Sequence, residues 1–193
     1  MQQIRSLCVY CGSSGAVDQR YRDAATELGG ALAQSGIELV YGGGHRGLMG
    51  LLADAALVAG GRVTGIIPAA MREAEWAHEG VSELLVVDSM HTRKRLMAEK
   101  ADAFAILPGG IGTLDETFEI LSWRQLQLHD KPIFLVDIAA YWRPLLVLLD
   151  QVAAAGFASP VIPRLMRVVN DIPALLAELA DAPSGHAARA DLL

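Results

Sequence analysis

Two side chains stand out for the chemistry their surroundings would allow. The first is Glu116, which ends the stretch Pro108-Gly109-Gly110-Ile111-Gly112-Thr113-Leu114-Asp115-Glu116. An apolar run at 103–107 precedes that stretch and reads as a buried strand, and a periodic segment at 114–128 follows it and reads as a helix. Three glycines thus lie between strand and helix, where bare N–H groups and a helix N-terminus favour an anion. Thr113 and Glu116 also have the spacing of a capping box, which would give Glu116 a purely structural role. The second side chain is Arg93, in Met90-His91-Thr92-Arg93-Lys94-Arg95-Leu96-Met97. On a helix Arg93 shares a face with Met90 and Met97, an inward-looking stripe, and a charge there needs a partner. The bland account is a structural ion pair with a carboxylate such as Glu75 or Glu116; the functional one is the same pair lined up on a substrate, since a guanidinium can donate to a phosphate, a ribose oxygen or a purine nitrogen. Arg95 points elsewhere and is placed to pair with Glu99 in solvent.

Two more small-residue turns follow strand-like runs. Cys11-Gly12-Ser13-Ser14-Gly15 follows 4–10, and Gly42-Gly43-Gly44-His45-Arg46-Gly47 follows 37–41. The second turn matches the dinucleotide fingerprint Gly-x-Gly-x-x-Gly. A dinucleotide would want an acidic residue at the end of the next strand, which instead runs Gly65-Ile66-Ile67-Pro68, and would want the fingerprint after the first strand. No glycine turn is followed by Gly-Lys-Ser/Thr, so a Walker loop is not present either. Anion binding remains, with a phosphomonoester as the simplest ligand and Gly12, Ser13, Ser14, Gly43, Gly44 and Gly47 as candidate phosphate-binding residues. The competing account is that these glycines only make tight turns and close helix–sheet packing; three turns on one edge weigh against it.

The elements that must position these groups alternate. Strands are expected at 4–10, 37–41, 62–68, 81–88, 103–107 and 131–136, and helices at 18–35, 48–59, 89–102, 114–128, 141–155 and 172–182. Residues 161–170 read as a short helix running into an edge strand. This pattern predicts an α/β fold, a doubly wound, mainly parallel sheet with helices on both faces, whose ligands bind at the carboxyl ends of the strands. A single domain over 1–182 with a frayed tail at 183–193 is expected from the 193-residue length and the absence of a linker. Net charge is −6, which argues against non-specific nucleic-acid binding, and no run is long enough to span a membrane, so a cytoplasmic protein is expected. Cys8 and Cys11 form C-x-x-C, but strand alternation would put them on opposite faces, which argues against redox chemistry. The histidines, among them His45, His78 and His129, show no metal-ligand spacing, and no metal is expected.

Three motifs together, Tyr41-Gly42-Gly43-Gly44-x-x-Gly47-Leu48-Met49-Gly50, Met90-His91-x-Arg93-Lys94 and Pro108-Gly109-Gly110-x-Gly112-Thr113-x-x-Glu116, give the chain its resemblance. It resembles the LONELY GUY family, the cytokinin riboside 5′-monophosphate phosphoribohydrolases, from about Ile4 to Asp150. The resemblance implies a Rossmann-like fold, a homodimer, no cofactor, and hydrolysis of the N-glycosidic bond of a nucleoside 5′-monophosphate, a cytokinin nucleotide or AMP. Arg93 and Glu116 match the family's catalytic pair. Glu75 matches a substrate-contacting glutamate, and Lys94, the loop Gly109, Gly110, Ile111, Gly112, Thr113, Leu114 and Asp115, and Ser122 match substrate-binding positions. Ile111 stands where many plant members have Tyr, and Asp115 where they commonly have Glu. The older family label of lysine decarboxylase finds no support in the sequence, which suggests no pyridoxal phosphate lysine with its partners. Rival readings are a general nucleotide nucleosidase, a non-catalytic nucleotide or cofactor carrier on the same fold, and a protein-interaction scaffold.

Overall fold

The computed structural model describes residues 3–72, 76–158, 165–183 and 185. Glu75, the first part of the segment expected at 161–170, and most of the tail lie outside the described residues. Among the described residues, seven strands form one sheet: β1 (Ser6–Tyr10), β2 (Glu38–Tyr41), β3 (Val63–Pro68), β4 (Glu83–Val87), β5 (Ala103–Ile106), β6 (Ile133–Val136) and β7 (Arg167–Val169). Every pairing among them is parallel, in the order β4-β3-β2-β1-β5-β6-β7. The edge strand expected near residue 170 is β7.

Among the described residues, five α-helices lie between successive strands, α1 (Gln19–Gln34), α2 (Gly47–Val58), α3 (Met90–Lys100), α4 (Ile111–Gln125) and α5 (Arg143–Ala154), and α6 (Ile172–Asp181) follows β7. Side chains of a strand alternate between faces, and the core divides accordingly. Leu7, Val9 and Cys11 join Ala103, Ala105 and Leu107 under α1, α2 and α6. Cys8 and Tyr10 join Phe104 and Ile106 under α3, α4 and α5. The two cysteines therefore sit on opposite faces, both buried and free, as alternation requires. The doubly covered sheet explains why its central strands are continuous apolar runs. None of the helices among the described residues is long and apolar enough to cross a membrane.

From β1 the chain winds outward through β2, β3 and β4, then α3 carries it back across to β5 on the other side of β1. The winding direction reverses between β1 and β5, which opens a crevice at their carboxyl ends. The loops there are tied together. Gly12 N–H donates to Pro108 O at 3.1 Å, and Leu48 N–H donates to Gly12 O at 3.0 Å, so the turns after β1, β2 and β5 form one layer.

Candidate active site

A cavity of about 200 Å³ occupies that crevice. Its wall includes Tyr10, Cys11, Gly12 and Ser13 after β1, Gly42 after β2, Arg93 from α3, and Gly110, Ile111, Gly112, Thr113 and Glu116 from the start of α4. The two residues expected to do chemistry thus come to one cavity from two different helices.

Arg93 is 4% exposed and shares its face with the fully buried Met97. Its Nη2 donates to Gly42 O at 2.9 Å, and its Nη1 lies 3.6 Å from Met90 Sδ. The glycine at 42 leaves room for this arrangement, since a Cβ there would stand 2.0 Å from Nη2. Arg95 pairs with Glu99 at 2.6 Å, as expected from their spacing.

The capping box does not form. The helix begins three residues before the expected 114: Gly110 is its N-cap, in extended backbone, and Thr113 already lies in the first turn. Thr113 is buried, and its Oγ1 would lie 2.1 Å from a Cβ at Gly109, so this side chain packs onto the glycine loop. Glu116 consequently stands in the second turn, on the cavity wall. Gly110 makes no side-chain cap hydrogen bond, and the first-turn residues Ile111, Gly112 and Thr113 line the cavity, an arrangement suited to an anion. Burial first, then the Glu116 carboxylate, push the Cys11 thiol well above its usual pKa, and burial chiefly does the same for the Tyr10 phenol. Both stay protonated at neutral pH, so Cys11 is no nucleophile.

The remaining expected residues divide. Gly12 and Ser13 line the cavity and also a neighbouring one of about 290 Å³, which holds Ser14, Gly109, Tyr21 and Tyr141. Gly43, Gly44 and Gly47 line neither. Gly43 (φ +78°) and Gly47 (φ +61°) take left-handed turns that pack against Ile66 and the Ser13 carbonyl, and Gly44 bridges to Ala77. Lys94 spans α3 to α4, pairing with Asp115 and Glu119 at 3.1 Å each. Leu114 packs into the core under α4, Asp115 is exposed, and Ser122 donates to Phe118 O at 2.7 Å.

Two features escaped the sequence. Met49, Met71, Met90 and Met97 all line the cavity, four of the six methionines in the chain. Only Met90 and Met97 showed a shared stripe, because the other two come from separate elements. His45 and His78, 33 residues apart, both reach Asp54, at 3.2 Å and 2.8 Å, with their rings tilted against each other and the centroids 4.1 Å apart. His78 Nδ1 accepts from Gly80 N–H, so in the neutral ring its Nε2–H donates to Asp54 Oδ1. This clasp, with the His45–Trp76 and His78–Gly43 backbone bonds, fastens the turn after β2 to residues 76–78.

The family model described as "Possible lysine decarboxylase" matches residues 49–179. A relative from Oryza sativa subsp. japonica, named probable cytokinin riboside 5′-monophosphate phosphoribohydrolase, is 44% identical over 93% of this chain and 79% of its own length. The Rhodococcoides fascians cytokinin riboside 5′-monophosphate phosphoribohydrolase is 45% identical over 91% of this chain and 89% of its own. Among solved structures, the molybdenum cofactor carrier protein of Chlamydomonas reinhardtii superposes with a TM-score of 0.69 at 20% identity, over 93% of this chain and 96% of that one. That likeness concerns the fold alone. Identity along most of both sequences, by contrast, places the protein: the chain belongs to the LONELY GUY family, that of the cytokinin riboside 5′-monophosphate phosphoribohydrolases.

Proposed function

We infer that this protein hydrolyses the N-glycosidic bond of a cytokinin riboside 5′-monophosphate, releasing free N6-modified adenine and ribose 5-phosphate, as its relatives are named for doing. The observation that carries the inference is the meeting of Arg93 and Glu116 on one small cavity at the switch point. Departure of adenine from ribose builds positive charge on the sugar and negative charge on the base. O-glycosidases meet the same demand with two carboxylates; here a carboxylate and a guanidinium share it. Glu116 stabilises the cationic sugar and orients or deprotonates the attacking water. Arg93 stabilises charge on the leaving base or holds the ribose phosphate. Its pKa is too high for it to supply the proton, which reaches the base from solvent or through a water. The first turn of α4 and the Gly12–Ser13 turn take the 5′-phosphate, so binding energy remote from the reacting bond positions that bond.

The four methionines and Ile111 give the base end a soft, adaptable apolar wall, which suits an N6-alkyl substituent, with plain AMP as a poorer substrate. None of the three lysines lines the cavity, in keeping with hydrolysis rather than lysine-based decarboxylation. Ile111 is 82% exposed and Phe118, two turns on, 39%; a second copy of the chain covers this face in the homodimer we propose. Two free thiols suit a reducing compartment, in keeping with a cytoplasmic enzyme. We treat residues 1–182 as one hydrolase domain.

The test is product analysis. Purified protein is incubated with isopentenyladenosine 5′-monophosphate, AMP and isopentenyladenosine, and free base and ribose 5-phosphate are separated by chromatography. Base from the monophosphates, fastest from the prenylated one, and little from the nucleoside is the expected outcome. Equal release from nucleoside and monophosphate would remove the phosphate-anchoring role of the glycine turns.

A further inference from the structure

Tyr141 lies outside every motif singled out above, 32 residues from the glycine loop that precedes α4. Its hydroxyl nevertheless donates to Gly109 O at 2.7 Å. We propose that Tyr141 is a positioning residue that locks the Gly109–Gly110 peptide in the orientation needed to bind the 5′-phosphate. The proposal rests on the function inferred above.

Gly109 and Gly110 flank this peptide on both sides, and two glycines leave such a unit free to rotate at little cost. In a trans peptide the carbonyl and the following N–H point in opposite directions. Holding Gly109 C=O toward Tyr141 therefore holds Gly110 N–H away from Tyr141. Both cavities border this peptide. Tyr141 belongs to the 290 Å³ cavity and not to the 200 Å³ cavity that contains Arg93 and Glu116, whereas Gly110 lines both. A flipped peptide would turn the Gly109 carbonyl, a partial negative charge, toward the expected phosphate and withdraw one donor from it.

The loop that delivers Tyr141 is built for a fixed aim. Asp137, buried at the end of β6, accepts from Trp142 N–H at 2.7 Å and pairs with Arg143 at 3.0 Å. Between Asp137 and Tyr141, Ala139 and Ala140 both adopt left-handed backbone, at φ 53° and 61°. Such conformations cost free energy for residues other than glycine and persist where the surroundings impose them. The ring is held edge-on between Tyr21 of α1, at 5.5 Å, and Trp142, at 4.8 Å. Two ring contacts and the backbone before it thus aim the hydroxyl at Gly109 O although Tyr141 is exposed.

Tyr141→Phe keeps the ring contacts and removes the hydroxyl. A net hydrogen bond of ordinary strength corresponds to at most about tenfold in an equilibrium, so KM for the monophosphate and the Kd for AMP or ribose 5-phosphate should rise roughly five- to tenfold. The melting temperature should hardly move, and loss of kcat/KM should be larger for the monophosphate than for the nucleoside. Ala140→Gly, which frees the backbone that aims the ring, should raise KM by a smaller factor without lowering the melting temperature. Affinity and KM within twofold of wild type in Tyr141→Phe would overturn the proposal, as would a loss confined to kcat. Wild-type protein that releases no base would sink the hydrolase inference itself, and AMP titration of the two variants would then still decide the role of Tyr141.

Discussion

Gly42→Ala isolates the placement of Arg93. Gly42 has ordinary backbone, so alanine brings no conformational strain, and its one close neighbour is the guanidinium. The new Cβ would stand 2.0 Å from Nη2, where ordinary contact begins at 3.4 Å, so Nη2 must withdraw by roughly 1.4 Å, the difference between these figures. Arg93 is buried and its Nη2 is bonded to Gly42 O, so the whole head group moves. Misplacement of a reacting group by about 1 Å can cost about 100-fold in rate, or roughly 2.7 kcal/mol of transition-state stabilisation. The stability loss should be modest, about 1 kcal/mol, because the clash is with the end of a flexible side chain. The assay is base release from isopentenyladenosine 5′-monophosphate, with thermal melts alongside. Gly36→Ala is the control: φ is +67° in open space between α1 and β2, so it should lose about 1 kcal/mol of stability with kcat unchanged. A Gly42→Ala enzyme within threefold of wild type would refute the idea that catalysis depends on where this guanidinium sits.

Two further outcomes follow from ionisable groups. Lys94→Met breaks the α3–α4 pairs with Asp115 and Glu119 and should cost about 1 kcal/mol, since Asp115 is largely exposed. Desolvation lowers the Lys94 pKa, but the two carboxylates outweigh it and the folded value is raised. The contribution is then fully present below the unfolded value of 10.5 and lost as pH rises through the folded one, so the gap in melting temperature should close only in strong alkali. His129 is the opposite case: burial above all depresses its pKa below 6.5 despite the bond to Ile120 O. The unfolded chain binds the proton more readily, so stability should fall as pH drops through 6.5 toward the folded value. Denaturant titrations of wild type and His129→Gln between pH 7 and about pH 5 should show that slope shrink in the variant.

Much of this architecture was legible in the sequence because it rests on local pattern. The apolar runs gave the strands, and the Arg93–Met97 spacing gave the buried face of α3, whereas Met90, the third member of the expected stripe, is exposed at the start of the helix. The start of α4 was not legible. Glycines at 110 and 112 have low helix propensity, yet the helix begins at Ile111, where Thr113 packs onto Gly109. Tertiary packing overrode local preference, and with it went the capping box as an account of Glu116. The His45–Asp54–His78 clasp and the Tyr141–Gly109 bond join residues from separate loops, so no spacing rule could disclose them. Gly43, Gly44 and Gly47 show the limit of a motif: they shape the turn that sets Gly42 beneath Arg93, but they line neither cavity.

The central claim is that Arg93 and Glu116 act together on one bound nucleotide. Its most direct test is single-turnover base release by Glu116→Gln and Arg93→Lys, with AMP affinity measured by calorimetry on the same preparations. Loss of roughly 100-fold or more in the chemical step by each variant, with AMP still bound by Glu116→Gln, is the result expected of a shared transition state. Retention of the chemical step in Glu116→Gln would contradict it and leave Glu116 a bystander on the cavity wall.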